Sequence, residues 1–215
     1  MPLQNRVTPF GDLVAVADRG LMCGNRGVLH DPQRRIVRYS RGRRWLVCRL
    51  EFRGRHRAIM RPGLYTELFF LDEATALAAG HRPCAECRYT DYQDFRRCWL
   101  TAHDDPSGKL PAADQIDARL HRDRLAAAGV KRTYRDEIAA LADGVFILRD
   151  GGAWLLWQSA LLHWTPGGYD QRRARPTHGR VTVLTPRGTA RTIAAGYAPA
   201  IHPSARSGET AEGMM

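Results

Sequence analysis

The chain has 215 residues and a formal net charge of +11, with 44% hydrophobic and 26% charged residues. That composition is too apolar for a disordered chain, and no apolar run approaches the roughly 20 residues a membrane-spanning helix needs. The first residues, Met1-Pro-Leu-Gln-Asn-Arg6, have no apolar stretch behind them, so no signal peptide is predicted and a cytoplasmic location is expected.

Along the chain, residues 13–16 form a short apolar run, and Gly24-Asn25-Arg26-Gly27 reads as a tight turn. Strand alternation follows over 45–52, with Leu46, Cys48, Leu50 and Phe52 on one face and Val47, Arg49, Glu51 and Arg53 on the other. Gly54 breaks the run and 55–61 reads as a returning strand, which predicts a hairpin whose outward face is a ladder of arginines. Residues 68–70 are a further strand, and Asp72 is placed to cap a helix over 73–79 that stops at Gly80. A second helix is expected over 90–102, with Tyr92, Phe95 and Trp99 on its apolar side. Asp104-Asp-Pro-Ser-Gly108 is the best linker, dividing the chain into 1–104 and 109–202, with 203–215 as a flexible tail. Helical patterns cover 112–128 and 135–142. The last third is β-rich: 145–148 and 153–157 flank the turn signal Asp150-Gly151-Gly152, 181–184 is another strand, and a short helix spans 190–195. The expected class is mixed α+β.

The positive charge is concentrated. Only Lys109 and Lys131 are lysines, and eleven arginines with one acid, Glu51, fall between Arg34 and Arg61. A GC-rich genome explains an arginine bias, but not this clustering. Guanidinium groups at such density suit phosphate, which arginine grips through two hydrogen bonds. Nucleic acid is therefore the expected partner, with Arg43, Arg44, Arg53, Arg55 and Arg57 as contacts.

Five cysteines stand at 23, 48, 84, 87 and 98. An odd count argues against a disulfide framework and leaves metal or catalysis. Cys84-Ala-Glu-Cys87 has the spacing that lets two thiolates reach one tetrahedral zinc from a turn. A redox pair shares that spacing, but no βαβ setting surrounds it. The run from Phe70 through Asp72-Glu-Ala-Thr-Ala-Leu to Gly80-His-Arg-Pro-Cys84-Ala-Glu-Cys87-Arg88 resembles the second half of the Ada-type zinc-binding domain, found in a DNA-repair protein and, as a small module, in some bacterial nucleases. The likeness covers about twenty contiguous residues and implies that Cys84 and Cys87 ligate zinc; DNA is expected ahead of RNA as the partner.

The other half of the family pattern departs. Its upstream ligand pair falls on His56 and Phe52, and Phe52 is no ligand. Cys48 lies roughly 13 Å along a regular strand from Phe52, so one ion does not take both Cys48 and His56 unless the strand bends. Cys48, His56, Cys23 and His30 compete for the remaining positions, with Cys48 preferred, while Cys98 reads as core beside Trp99. With the upstream pair broken, methyl transfer of the Ada kind is not expected.

Enzyme readings compete with binding. A zinc deaminase needs a ligand and a glutamate two residues apart, and Cys48-Arg-Leu-Glu51 is one residue too long. A hydrolase or nuclease with an accessory zinc would use Asp117, His121 and Arg124, which fall on one helix face, with His121 as a base oriented by Asp117 and Arg124 as phosphate clamp. Trp164 and Tyr169 around Pro166-Gly-Gly168, followed by Arg172, Arg173 and Arg175, offer a surface to stack a base.

Overall fold

The short stretch Glu-Ala-Thr-Ala-Leu-Ala forms helix α1 (Glu73–Ala78), and every one of its residues is buried. Asp72 caps it as expected, its Oδ1 accepting from the Thr75 N–H at 2.8 Å and the Thr75 hydroxyl at 2.7 Å. A helix buried on all sides must be small or apolar all round. Its alanines allow a sheet to approach from either side. The computed structural model describes residues 1–54, 58–103, 108–126 and 129–206.

The first sheet contains β1 (Arg6–Val7), β2 (Leu13–Val14), β3 (Met22–Asn25), β4 (Leu46–Arg49), β5 (Leu68–Phe70) and β6 (Arg82–Pro83), in the order β2-β1-β5-β3-β4-β6. Ala76 and Ala79 pack on it with Val7, Leu29, Val47, Leu68 and Phe70. Helices α2 (Tyr89–Ala102) and α3 (Ala113–Arg124) then lead to the second sheet. That sheet holds β7 (Tyr134–Glu137), β8 (Phe146–Arg149), β9 (Gly152–Trp157), β10 (Ala160–Thr165), β11 (Gly168–Ala174) and β12 (Arg180–Val183), followed by α4 (Arg187–Ala194). Its order is β11-β10-β9-β8-β12-β7. Ala74 and Ala78 meet Phe146 and Leu155 of this sheet. Leu77 joins Phe95, Trp99, Ile116, Leu120 and Trp154, so one cluster draws on residues from both sides of 104–108. The fold is mixed α+β with a β-rich C-terminal part. Among the described residues no helix is long and apolar enough to cross a membrane.

The hairpin predicted over 45–61 is not what β4 makes. β4 pairs antiparallel with β3 and parallel with β6, so both of its hydrogen-bonding edges are taken and a returning strand has no place beside it. Of the clustered arginines, Arg34, Arg35, Arg38, Arg41, Arg43 and Arg44 lie in the long β3–β4 connection. The two faces are also exchanged: Val47 is fully buried in the core, Leu46 and Cys48 line the opposite side, and Leu50 is exposed. Residues 55–57 of the expected strand lie outside the described residues.

Elsewhere, the helix expected over 135–142 is strand β7 followed by a single 3-10 turn, Ile138–Ala140. Tyr134 and Asp136 are half-buried and Arg135 and Glu137 exposed, a period of two that a helix cannot serve. α3 ends at Arg124 because Leu125 turns extended, and residues 127–128 lie outside the described residues. The 163–169 segment is the end of a hairpin, β10–β11. Of the supposed tail, Pro203–Ala205 forms a 3-10 turn with Ala205 buried; residues 207–215, like the linker residues 104–107, lie outside the described residues.

Candidate metal centre and adjoining cleft

Strand alternation places Val47 inward and Cys48 outward on β4. β6 runs beside β4, and where β6 ends the chain enters the Cys84–Cys87 turn that feeds α2. The three sulfurs of Cys48, Cys84 and Cys87 all lie within 4.8 Å of one another, and together they could hold a metal ion. Backbone donors support them: the Glu86 N–H donates to Cys84 Sγ at 3.4 Å, and the Arg49 N–H to Cys87. Hydrogen bonds from Cys48, then from Cys87, pull the Cys84 thiol far below its usual range. Cys48, which donates to Cys84 and Cys87 and is buried, is pushed far up. The three sulfurs form a soft donor set that a cation would deprotonate fully.

Two buried ion pairs clamp the turn. Before it, Arg82 is bidentate to Asp117 of α3, with Nε–Oδ1 and Nη2–Oδ2 both 2.8 Å. After it, Arg88 is bidentate to Glu73 of α1 at 2.7 and 2.8 Å, and its Nε reaches Asp91 at 2.9 Å. Glu73 also accepts from the Tyr197 hydroxyl and the Ala200 N–H. Asp117 therefore does not orient His121, since both its oxygens serve Arg82. His121 Nδ1 instead lies 3.4 Å from Arg124, whose guanidinium sits 3.8 Å over Trp45 and donates to the Gly80 and Arg43 carbonyls. In place of an Asp-oriented base and phosphate clamp, the three side chains make separate contacts with Arg82, Arg124, Trp45 and two backbone carbonyls.

A cleft of about 1060 Å³ opens beside the sulfurs. Cys48 and Cys84 line it together with Arg41, Arg43 and Arg44, and with Asp114 and Gln115 of α3; Asn25, Tyr65 and Glu86 also line it. Arg43 and Arg44, expected from the sequence, are here and exposed. Arg53 is exposed as well, its guanidinium 5.0 Å from the Phe52 ring, but it does not line the cleft. Arg55 and Arg57, and the competing ligand His56, lie outside the described residues. Asn25, Tyr65 and Arg82 escaped the sequence reading. Only the run Arg-Pro-Cys hinted at Arg82; the other two join the cleft through sheet register and loop packing.

The remaining candidates are spoken for. His30 is buried with Nδ1 2.6 Å from the Thr66 hydroxyl and Nε2 3.2 Å from the Arg61 carbonyl, leaving no nitrogen for a metal. Cys98 packs against the core, as expected. Cys23 stands directly across from Cys48 in the β3–β4 ladder. Its thiol donates to the Arg49 carbonyl at 2.9 Å, and burial, then the neighbouring Cys87, raises it to about 11. Trp164 and Tyr169 pack against the core cluster that holds Phe146 and Leu155, and Trp164 Nε1 donates to Thr75 and the Tyr169 hydroxyl to Asp72, tying both to the start of α1. Arg172, Arg173 and Arg175 contact the Ala205 carbonyl, Asp150 and Asp143. No known protein family, curated protein or solved structure matches this chain.

Proposed function

We propose that the protein binds zinc through Cys48, Cys84 and Cys87 and binds nucleic acid along the cleft beside them. The observation that carries this reading is the shared lining of one cleft by two of the sulfurs, those of Cys48 and Cys84, and by the exposed Arg41, Arg43 and Arg44. Thiolates in C-x-x-C spacing favour zinc among common metals, and the resemblance of residues 70–88 to Ada-type zinc modules supports both zinc and DNA.

In this reading the arginines neutralise backbone phosphates and release their counterions. Gln115 and Asp114 supply polar groups for a base edge. Zinc, when bound, fixes the relative positions of β4 and the turn before α2, which both line the cleft. Two measurements test the reading. Metal analysis is expected to find about one zinc per chain, lost on Cys84→Ser and kept on Cys98→Ser; zinc retained in Cys84→Ser overturns the ligand assignment. Fluorescence anisotropy with labelled single-stranded and duplex oligonucleotides is expected to show affinity falling steeply with salt. Replacing Arg41, Arg43 and Arg44 with alanine should flatten the log–log salt slope by about 2–3, at roughly 0.7–0.9 per phosphate contact. Binding that is insensitive to salt overturns the nucleic-acid reading.

A further inference from the structure

We propose that Cys23 is the fourth ligand of the metal, so that the site is a closed tetrathiolate; the inference rests on the zinc reading above. Cys23 and Cys48 are directly opposed in the antiparallel β3–β4 pair. Residues so paired point to the same face of a sheet, with Cβ atoms about 4.5–5.5 Å apart. That face is the one turned away from the core, because Val47, the next residue on β4, is fully buried on the other side.

Arg49 ties Cys23 to the cluster. Its carbonyl accepts from the Cys23 thiol at 2.9 Å, and its N–H donates to Cys87. Two cysteines distant in sequence therefore flank one residue of β4. In its present rotamer the Cys23 sulfur is not within 4.8 Å of all three others. Tetrahedral zinc with bonds of about 2.3 Å needs sulfurs roughly 3.8 Å apart. A rotation about χ1 that releases the Arg49 carbonyl turns Cys23 toward Cys48 and its partners. Of the other ligand candidates among the described residues, His30 has both nitrogens engaged and Cys98 packs against the core from α2.

The consequence is functional. Four thiolates leave zinc no position for water or substrate, so the metal acts as a structural cross-link and does no chemistry. It would join β3, β4 and the turn ahead of α2, the frame on which the arginine loop is mounted. Each thiol gives up its proton to solvent on binding.

X-ray absorption at the zinc edge, on the full chain, tests this. The wild-type protein is expected to show four sulfurs at about 2.3 Å. Cys23→Ser is expected to show three sulfurs and one lighter atom at roughly 2.0–2.1 Å. Chelator competition should show its zinc affinity down by at least the roughly 10–100-fold that losing a supporting partner costs. Cys98→Ser should match wild type. Three sulfurs plus a nitrogen or oxygen in the wild-type spectrum overturns the role of Cys23 and leaves the zinc reading standing. Absence of zinc overturns both. If Cys23→Ser fails to fold, the wild-type spectrum alone decides.

Discussion

Replacing Glu73 with alanine removes four hydrogen bonds from the junction between α1 and the metal-binding turn: two from Arg88 at 2.7 and 2.8 Å, one from the Tyr197 hydroxyl, and one from the Ala200 N–H at 3.0 Å. Both charged side chains are almost wholly inaccessible, at 4% for Arg88 and 2% for Glu73, so solvent screens the pair little. The substitution leaves a buried guanidinium with only Asp91 to face it. Breaking such a pair costs about 3–5 kcal/mol, a large share of the 5–15 kcal/mol typical of a whole domain. For a chain of this size that corresponds to a fall in Tm of about 6–20 °C, at roughly 2–4 °C per kcal/mol. Urea unfolding followed by tryptophan fluorescence measures it. The cause is isolated by a double-mutant cycle with Arg88→Met, in which Glu73→Leu with Arg88→Met should cost less than the two single changes added together. Because Arg88 directly follows Cys87, Glu73→Ala is also expected to weaken zinc binding. A cost below about 1 kcal/mol, or strict additivity in the cycle, would refute the clamp as the element that holds the turn.

Two further outcomes follow from buried groups and close backbone contacts. Burial, then Arg26 and Arg124, holds His81 well below its ordinary value; its Nδ1–H donates to the Ala76 carbonyl and its Nε2 accepts from Arg26. The unfolded chain therefore takes up a proton that the folded one refuses, so stability is retained above about pH 6.5 and falls by up to about 1.4 kcal/mol per pH unit below it. Urea midpoints at pH 7 and 5 should show this, and His81→Gln should flatten the dependence; an equal slope in both proteins would exclude His81 as its source. A Cβ on Gly24 would lie 2.0 Å from the Leu46 carbonyl oxygen, so Gly24→Ala must push β3 from β4. A loss of about 1–3 kcal/mol is expected from such overpacking, with weakened zinc binding because the two strands carry Cys23 and Cys48; wild-type Tm and zinc content would contradict it.

Much of the local architecture was legible because it depends on neighbours in sequence. Asp72 capping α1, Gly80 ending it, and the apolar stripe of Tyr92, Phe95 and Trp99 on α2 are contacts or periodicities spanning a few residues. Strand β7 was misread because four residues of alternation were absorbed into a longer helical pattern, and its pairing with β12 lies more than forty residues away. The β4 faces were misread for a related reason. Alternation shows which residues share a face, but not which face meets the core.

The candidate site divides along the same line. Cys84 and Cys87 stand out in the sequence because a turn ahead of a helix brings them together within four residues. Cys48 was preferred among several ligands, and only the parallel pairing of β4 with β6 brings its sulfur to theirs. The concentration of arginine between residues 34 and 61 was equally plain, yet which of them share a cleft with the sulfurs was settled by the β3–β4 connection and its packing against α3. The sequence by itself determined the chemistry available: soft sulfur donors, a surplus of guanidinium groups and a small capped helix. The tertiary structure decided which of these groups meet, because pairing between distant strands and the burial of α1 between two sheets are energies of contact that no local pattern encodes.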